Sequence, residues 1–266
     1  MDPIVSARGI SKYFGAVSAL EDVDFDTKRN EITGLVGDNG ARKSTLIKIL
    51  SGVYESNAGE IYFENEKVNF GSPEESRKLG IEVIHQDMAL VDELSVWENI
   101  FLGKLLGKKI ITAPFSIIDK GRMKDESEKL LKRIGISALS SESKVGYLSG
   151  GQKKSVAIAR TMYWNAKVIF MDEPTAALGV GEVRRVLDLI RSLKETGVSI
   201  VFISHNLQEI FSTVDRIVVL HKGKIAGIRN IKETNQDEII KLIMGDGIEN
   251  NRTNLQKSNT VSMPVQ

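Results

Sequence analysis

Apolar positions recur along this chain in two periods, and their alternation predicts an α/β fold. Short apolar runs predict strands over 4–9, 22–26 and 31–36, and an apolar-faced helix follows over 43–50. A hairpin is expected over 60–70, turning near Asn65. Ser72-Pro73-Glu74-Glu75 reads as a helix start, with serine as N-cap, proline in the first turn and a glutamate completing a capping box. A short buried strand is expected over 81–85. The pattern then turns helical from about 87 to 165. There Ser95 and Glu98 form a second capping box, and 119–134 is a charged amphipathic helix stopped by Gly135. The stretch 102–116, with Gly103, Gly107 and Pro114, is expected to be a loop. Alternation resumes with strands over 167–171 and 198–204, helices over 181–194 and 206–211, and a hairpin around Lys222-Gly223. The polar tail 248–266 is expected to be disordered.

Composition narrows the class without naming it. With 266 residues the chain can bury a large core, and a formal net charge of +1 gives no global field for nucleic acid or anionic lipid. The absence of cysteine excludes disulfides and thiolate chemistry and suits a reducing compartment. No signal peptide is expected from Met1-Asp2-Pro3, and no apolar run approaches the ~18 residues of a membrane span. A role at a membrane would therefore run through a partner.

Three stretches carry candidate chemistry. Gly37-Asp38-Asn39-Gly40-Ala41-Arg42-Lys43-Ser44 sits between a strand and a helix and follows a phosphate-loop pattern, except that Arg42 replaces its second glycine. Such a loop closes backbone N–H groups around phosphate, with Lys43 on the outer phosphates and the Ser44 hydroxyl on Mg²⁺; Thr45 is the neighbour. The apolar strand ending in Asp172-Glu173 places two acids at a sheet edge, where Asp172 suits a Mg²⁺-orienting role and Glu173 a general base for water. Ser149-Gly150-Gly151-Gln152 opens a helix whose N–H groups the glycines would leave bare, a second anion-binding start.

Together these residues resemble the ATP-binding subunits of ATP-binding-cassette transporters over about 4–245. In that resemblance 37–44 is the Walker A loop, 167–172 the Walker B strand and 148–152 the signature, in the family's order. Gln86 matches the Q-loop, His205 the switch histidine and Phe14 the aromatic that stacks on adenine. The resemblance implies a P-loop NTPase cassette. Its core has a mixed sheet and an antiparallel β-subdomain (1–87 and 166–247), with an inserted helical subdomain (88–165).

It further implies that two cassettes, as a homodimer or paired subunits, sandwich two ATP molecules. Ser149, Gly150, Gly151 and Gln152 would serve the partner's nucleotide. Gln86 would sense Mg²⁺ and the attacking water, and His205 would contact the γ-phosphate. Residues 94–103, 173–180 and 203–207 resemble the monosaccharide importers. Transmembrane permease subunits and, indirectly, a sugar-binding protein are the implied partners, with the chain peripheral on the cytoplasmic face of the membrane.

Two positions depart from the family pattern. Gly179 stands where many cassettes carry an aspartate. Arg42 is expected to strain or crowd the loop at a cost of ~1–3 kcal/mol, weakening ATP binding by about 10- to 100-fold. Its guanidinium can offset part of that by pairing with phosphate. Hydrolysis, more sensitive to misplacement, is expected to be largely lost. An ABC-type ATPase outside transport and a nucleotide-binding subunit without catalysis are the alternatives.

Overall fold

The computed structural model describes residues 2–109, 116–136 and 139–246. The expected tail 248–266 lies outside them, as does Pro114. In chain order the elements are β1 (Pro3–Phe14), β2 (Val17–Lys28), β3 (Ile32–Val36), α1 (Lys43–Leu50), β4 (Ala58–Phe63), β5 (Glu66–Val68), α2 (Pro73–Leu79) and β6 (Ile81–Ile84). There follow α3 (Val96–Phe101), β7 (Gly107–Lys109), β8 (Ser116–Ile118), α4 (Lys120–Arg133), α5 (Gly150–Tyr163), β9 (Val168–Asp172) and α6 (Val180–Glu195). The chain continues through β10 (Ser199–Ile203), α7 (Leu207–Thr213), β11 (Arg216–His221), β12 (Lys224–Asn230) and α8 (Gln236–Met244).

The central sheet runs β12-β11-β3-β10-β9-β6 and is parallel except for the final hairpin partner β12. Its inner strands are mostly apolar and almost wholly buried because a parallel sheet is covered on both faces. Their period of two divides them between two cores. Ile169, Met171, Ile200 and Phe202 face one core with α3, α5 and α6. Val168, Phe170, Val201 and Ile203 face the other, with α1 and the antiparallel sheet β2-β1-β4-β5. Among the described residues no helix is long and apolar enough to cross a membrane.

Most expected elements form, and the differences have local causes. β1 runs past 9 to Phe14 and β2 starts before 22, at Val17, because bulges let the two strands keep pairing as the pattern of apolar residues is lost. The hairpin β4–β5 turns through Glu64 and Asn65, both at positive φ (52° and 68°), which suits the twist of a two-residue loop. The box at Ser95 and Glu98 forms in full. The one at Ser72 does not: its hydroxyl caps nothing, and Glu75 reaches one residue further back to the Gly71 N–H at 2.9 Å. The stretch expected as a loop over 102–116 carries β7 and the first residue of its short antiparallel partner β8. A three-residue strand is too short for periodicity to reveal.

Glu82 on β6 is 5% exposed, its Oε1 has no hydrogen-bond partner, and Arg77 stands 3.7 Å from Oε2. Burial pushes its carboxyl up to about 7, against the pull of Arg77, Lys104 and Arg160. An acid whose pKa is raised on folding stabilises the fold at low pH and loses that contribution as pH rises from about 4.5 through about 7. Glu82→Gln should therefore gain on the parent by about 2–3 kcal/mol between those limits. Urea unfolding at pH 4.5 and 7.5 checks this, and a pH-independent difference contradicts it.

Candidate nucleotide site

Because β3, β10, β9 and β6 are parallel neighbours, their carboxyl ends share one edge. β3 leads into the phosphate loop, β9 ends in Asp172-Glu173, β10 leads into Ser204-His205, and β6 leads to His85-Gln86. Sheet order alone thus gathers residues far apart in sequence.

The loop is shaped by close approach and by handedness. A Cβ on Gly37 would stand 2.2 Å from the Leu220 carbonyl oxygen, so the first glycine is obligatory. Asp38 accepts from the Ala41 N–H at its carbonyl (3.0 Å) and from the Asn39 N–H at Oδ1 (2.7 Å), which closes the turn; Gly40 follows at φ 86°. Arg42 is the N-cap of α1 at φ 76°, ψ 24°, the left-handed region where glycine is favoured. This conformation accounts for the glycine that the loop pattern calls for. The Arg42 side chain points to solvent, and its guanidinium makes no hydrogen bond or ion pair among the described residues. Having no acceptor, it leaves the first N–H groups of α1 uncapped.

The groups behind the loop are already paired. Lys43 is buried and donates from Nζ to the carbonyls of Gly37 (2.8 Å) and Asp38 (3.1 Å). Burial lowers its pKa, opposed by Glu173, Asp172 and Asp38. Ser44 Oγ donates to Asp172 Oδ2 at 2.9 Å, joining two of the three expected Mg²⁺ ligands. His205 Nδ1 lies 3.2 Å from Glu173 Oε1, joining the expected base and switch residue. Glu173 sits at φ 50° and donates its N–H to the Ile203 carbonyl. Thr45 is half-buried within α1. The Gln86 side chain is exposed and makes no hydrogen bond among the described residues.

Phe14 is 44% exposed at the end of β1 and packs edge-on to Tyr54 at 5.5 Å, so it is not a core residue. Ser149, Gly150, Gly151 and Gln152 start α5 but share no hydrogen bond with the loop, Asp172, Glu173 or His205. Their N–H groups are less bare than the glycines suggest. Ser149 and Gln152 cap each other, and Gly151 N–H donates to Glu182 Oε1 at 3.2 Å. The glycines also serve packing, since a Cβ on Gly150 would stand 2.9 Å from Leu178 Cδ2.

Four contributors escaped the sequence reading. Tyr54 completes the aromatic step. Glu209 accepts from Thr175 (2.6 Å) and Ser204 (3.0 Å), bracing the turns that carry Glu173 and His205. Lys154, 4% exposed on α5, donates from Nζ to the Gln86 carbonyl at 3.4 Å. Its pKa is lowered by burial, with Glu173 opposing. Glu182 is the fourth. Only the Asn206-to-Glu209 spacing, a helix-start pattern, gave any sequence signal.

These residues fit a nucleoside triphosphate with Mg²⁺. The uncapped α1 start suits phosphate, and one hydroxyl with one carboxylate suits a cation that takes its other ligands from phosphate and water. The family model described as ABC transporter matches residues 20–176, more than half of the chain. The chain belongs to the ABC transporter family. A xylose/arabinose import ATP-binding protein of Sulfolobus acidocaldarius is 44% identical over 91% of this chain and 94% of its own. A ribose import ATP-binding protein of Chromobacterium violaceum is 43% identical over 91% of this chain but 47% of its own, so the chain spans about half of that relative.

Among solved structures, the ADP conformation of an ABC transporter's ATP-binding cassette matches with TM-score 0.78 at 28% identity, over 93% of this chain and 97% of that one. A dimeric cassette in a post-hydrolysis state, bound to ADP and Pi, matches with TM-score 0.70 at 26% identity, over 86% and 100%. The α/β cassette fold expected from the sequence is the one observed.

Arg42→Gly in this ABC cassette should raise the free energy of unfolding by about 0.5–1 kcal/mol, as left-handed strain relieved exceeds chain entropy added. Equal or lower stability in denaturant titration contradicts strain at Arg42.

Proposed function

We propose that this chain is the ATP-binding and ATP-hydrolysing subunit of a monosaccharide importer. It works as one of two cassettes, identical or paired, under transmembrane permease subunits at the cytoplasmic face of the cell membrane. A sugar-binding protein delivers the sugar to the permease. The observation that carries the proposal is the convergence, at one sheet edge, of the uncapped α1 start, the Ser44–Asp172 pair and the Glu173–His205 pair. The import relatives support the sugar. In this proposal residues 1–87 and 166–247 are the catalytic core and 88–165 the helical arm.

The roles follow from chemistry at each position. Adenine stacks on Phe14, with Tyr54 beside it. Gly37, Asp38, Asn39, Gly40, Ala41 and Arg42 form the loop around the phosphates, its turn closed by the Asn39 and Ala41 N–H groups, and Lys43 exchanges its loop carbonyls for outer phosphates. Ser44, Asp172 and Gln86 would hold Mg²⁺, which supplies charge neutralisation on the phosphates when bound. Glu173 takes the proton of the attacking water, held in place by His205. Ser149, Gly150, Gly151 and Gln152 serve ATP bound by the partner cassette.

Arg42 impairs this subunit through its backbone rather than by obstruction, because its side chain lies in solvent while its φ strains the turn that aims the α1 amides. Two variants test the proposal. Arg42→Gly should raise ATP turnover at least tenfold with a smaller gain in affinity; equal rates contradict the role given to Arg42. Glu173→Gln in that background should lower turnover by about 100-fold or more while ATP still binds; unchanged turnover contradicts the mechanism. A nucleotide-binding subunit without turnover is the second reading, favoured by Arg42 alone. No turnover by the parent beside an intact partner cassette, with ATP still bound, would select it.

A further inference from the structure

Glu182 ties together two helix starts that the proposed mechanism treats separately. It is the third residue of α6, and its Oε2 accepts the Gly179 N–H at 3.4 Å, capping its own helix. Its Oε1 accepts the Gly151 N–H at 3.2 Å, inside the signature at the start of α5. The two are in close contact: a Cβ on Gly151 would stand 3.1 Å from Glu182 Cβ and 3.3 Å from Oε1. Hydrogen bonds from Ser149 and from the two glycine amides hold the Glu182 carboxyl below its ordinary pKa. A negative charge therefore sits where the partner's terminal phosphate is proposed to dock.

We propose that Glu182 is a positioning residue that stands in for the γ-phosphate, holding the Gly151 N–H in the separated cassette and yielding it to partner-bound ATP on closure. The inference rests on the paired-cassette proposal above. Two anions cannot share one N–H donor, and their like charges oppose each other at this distance. The signature is thus kept in a phosphate-ready shape while closure is held back until a terminal phosphate displaces the carboxylate. ADP lacks that phosphate and leaves the contact intact. Glutamine at the same place keeps an acceptor for the Gly151 N–H and removes the opposing charge.

The test is ATP-driven dimerisation of the full chain with Mg²⁺, followed by light scattering in a Glu173→Gln background that does not consume nucleotide. Glu182→Gln should lower the ATP concentration for half-maximal dimer by about threefold to tenfold and leave the monomer's ADP affinity unchanged. A capping role alone predicts an unmoved or raised midpoint, and that result overturns the proposal. Dimerisation in the Glu182-intact protein separates the two ideas. If it dimerises and the variant's midpoint is unmoved, only the role of Glu182 fails; if it never dimerises with ATP, the paired cassette fails as well. Hydrogen exchange at the Gly151 amide is a second readout that needs no variant. ATP, but not ADP, should change its rate on closure, and an unchanged rate overturns the proposal.

Discussion

Everything at the candidate site depends on the parallel register of four strands. Ile203 pairs with both Asp172 and Leu35, and Ile84 pairs with Met171, so the strands end level with one another. A slip of one residue would exchange the two cores as well as misalign the site, since successive side chains of β9 and β10 belong to opposite cores. The packing that stabilises the sheet therefore also fixes where Lys43, Asp172, Glu173 and His205 lie. That coupling lets loops with little packing of their own hold an ordered arrangement of charged groups.

Several of the site's polar groups are paired with one another. Lys43 rests on loop carbonyls, Ser44 on Asp172, His205 on Glu173, and Gly151 on Glu182. Leaving the buried Lys43 ammonium unpaired would cost at least about 1–3 kcal/mol. Phosphate and metal would take over these pairings and also meet the uncapped N–H groups at the start of α1. Arg42 stands apart from this pattern: its cost lies in the backbone, and no contact of its side chain offsets it.

Much of this was legible in the chain itself. Residues 31–36 and 167–171, followed by a glycine loop or paired acids, announced strands that end at a site, and Ser95 with Glu98 announced a helix start that forms as expected. What stayed hidden depends on tertiary approach. The extension of β1 to Phe14 rests on pairing with β2 across bulges, and the β7–β8 pair is too short for any period. Gly150 and Gly151 read as turn or anion signals, yet Leu178 and Glu182 pack closely against them. Lys154 reads as a surface lysine on a helix, and only the fold buries it beneath the Gln86 carbonyl. The φ of Arg42 gave physical content to a missing glycine that the sequence could only flag.

The most direct test of this account is a crystal structure of the chain with a non-hydrolysable ATP analogue and Mg²⁺. The account predicts the outer phosphates on the α1 amides and Lys43 Nζ, with the ion within about 2.1 Å of Ser44 Oγ and Asp172 on its ligand shell. Nucleotide bound away from this sheet edge, or phosphates at the loop with Ser44 still bonded to Asp172 and no ion between them, would contradict it.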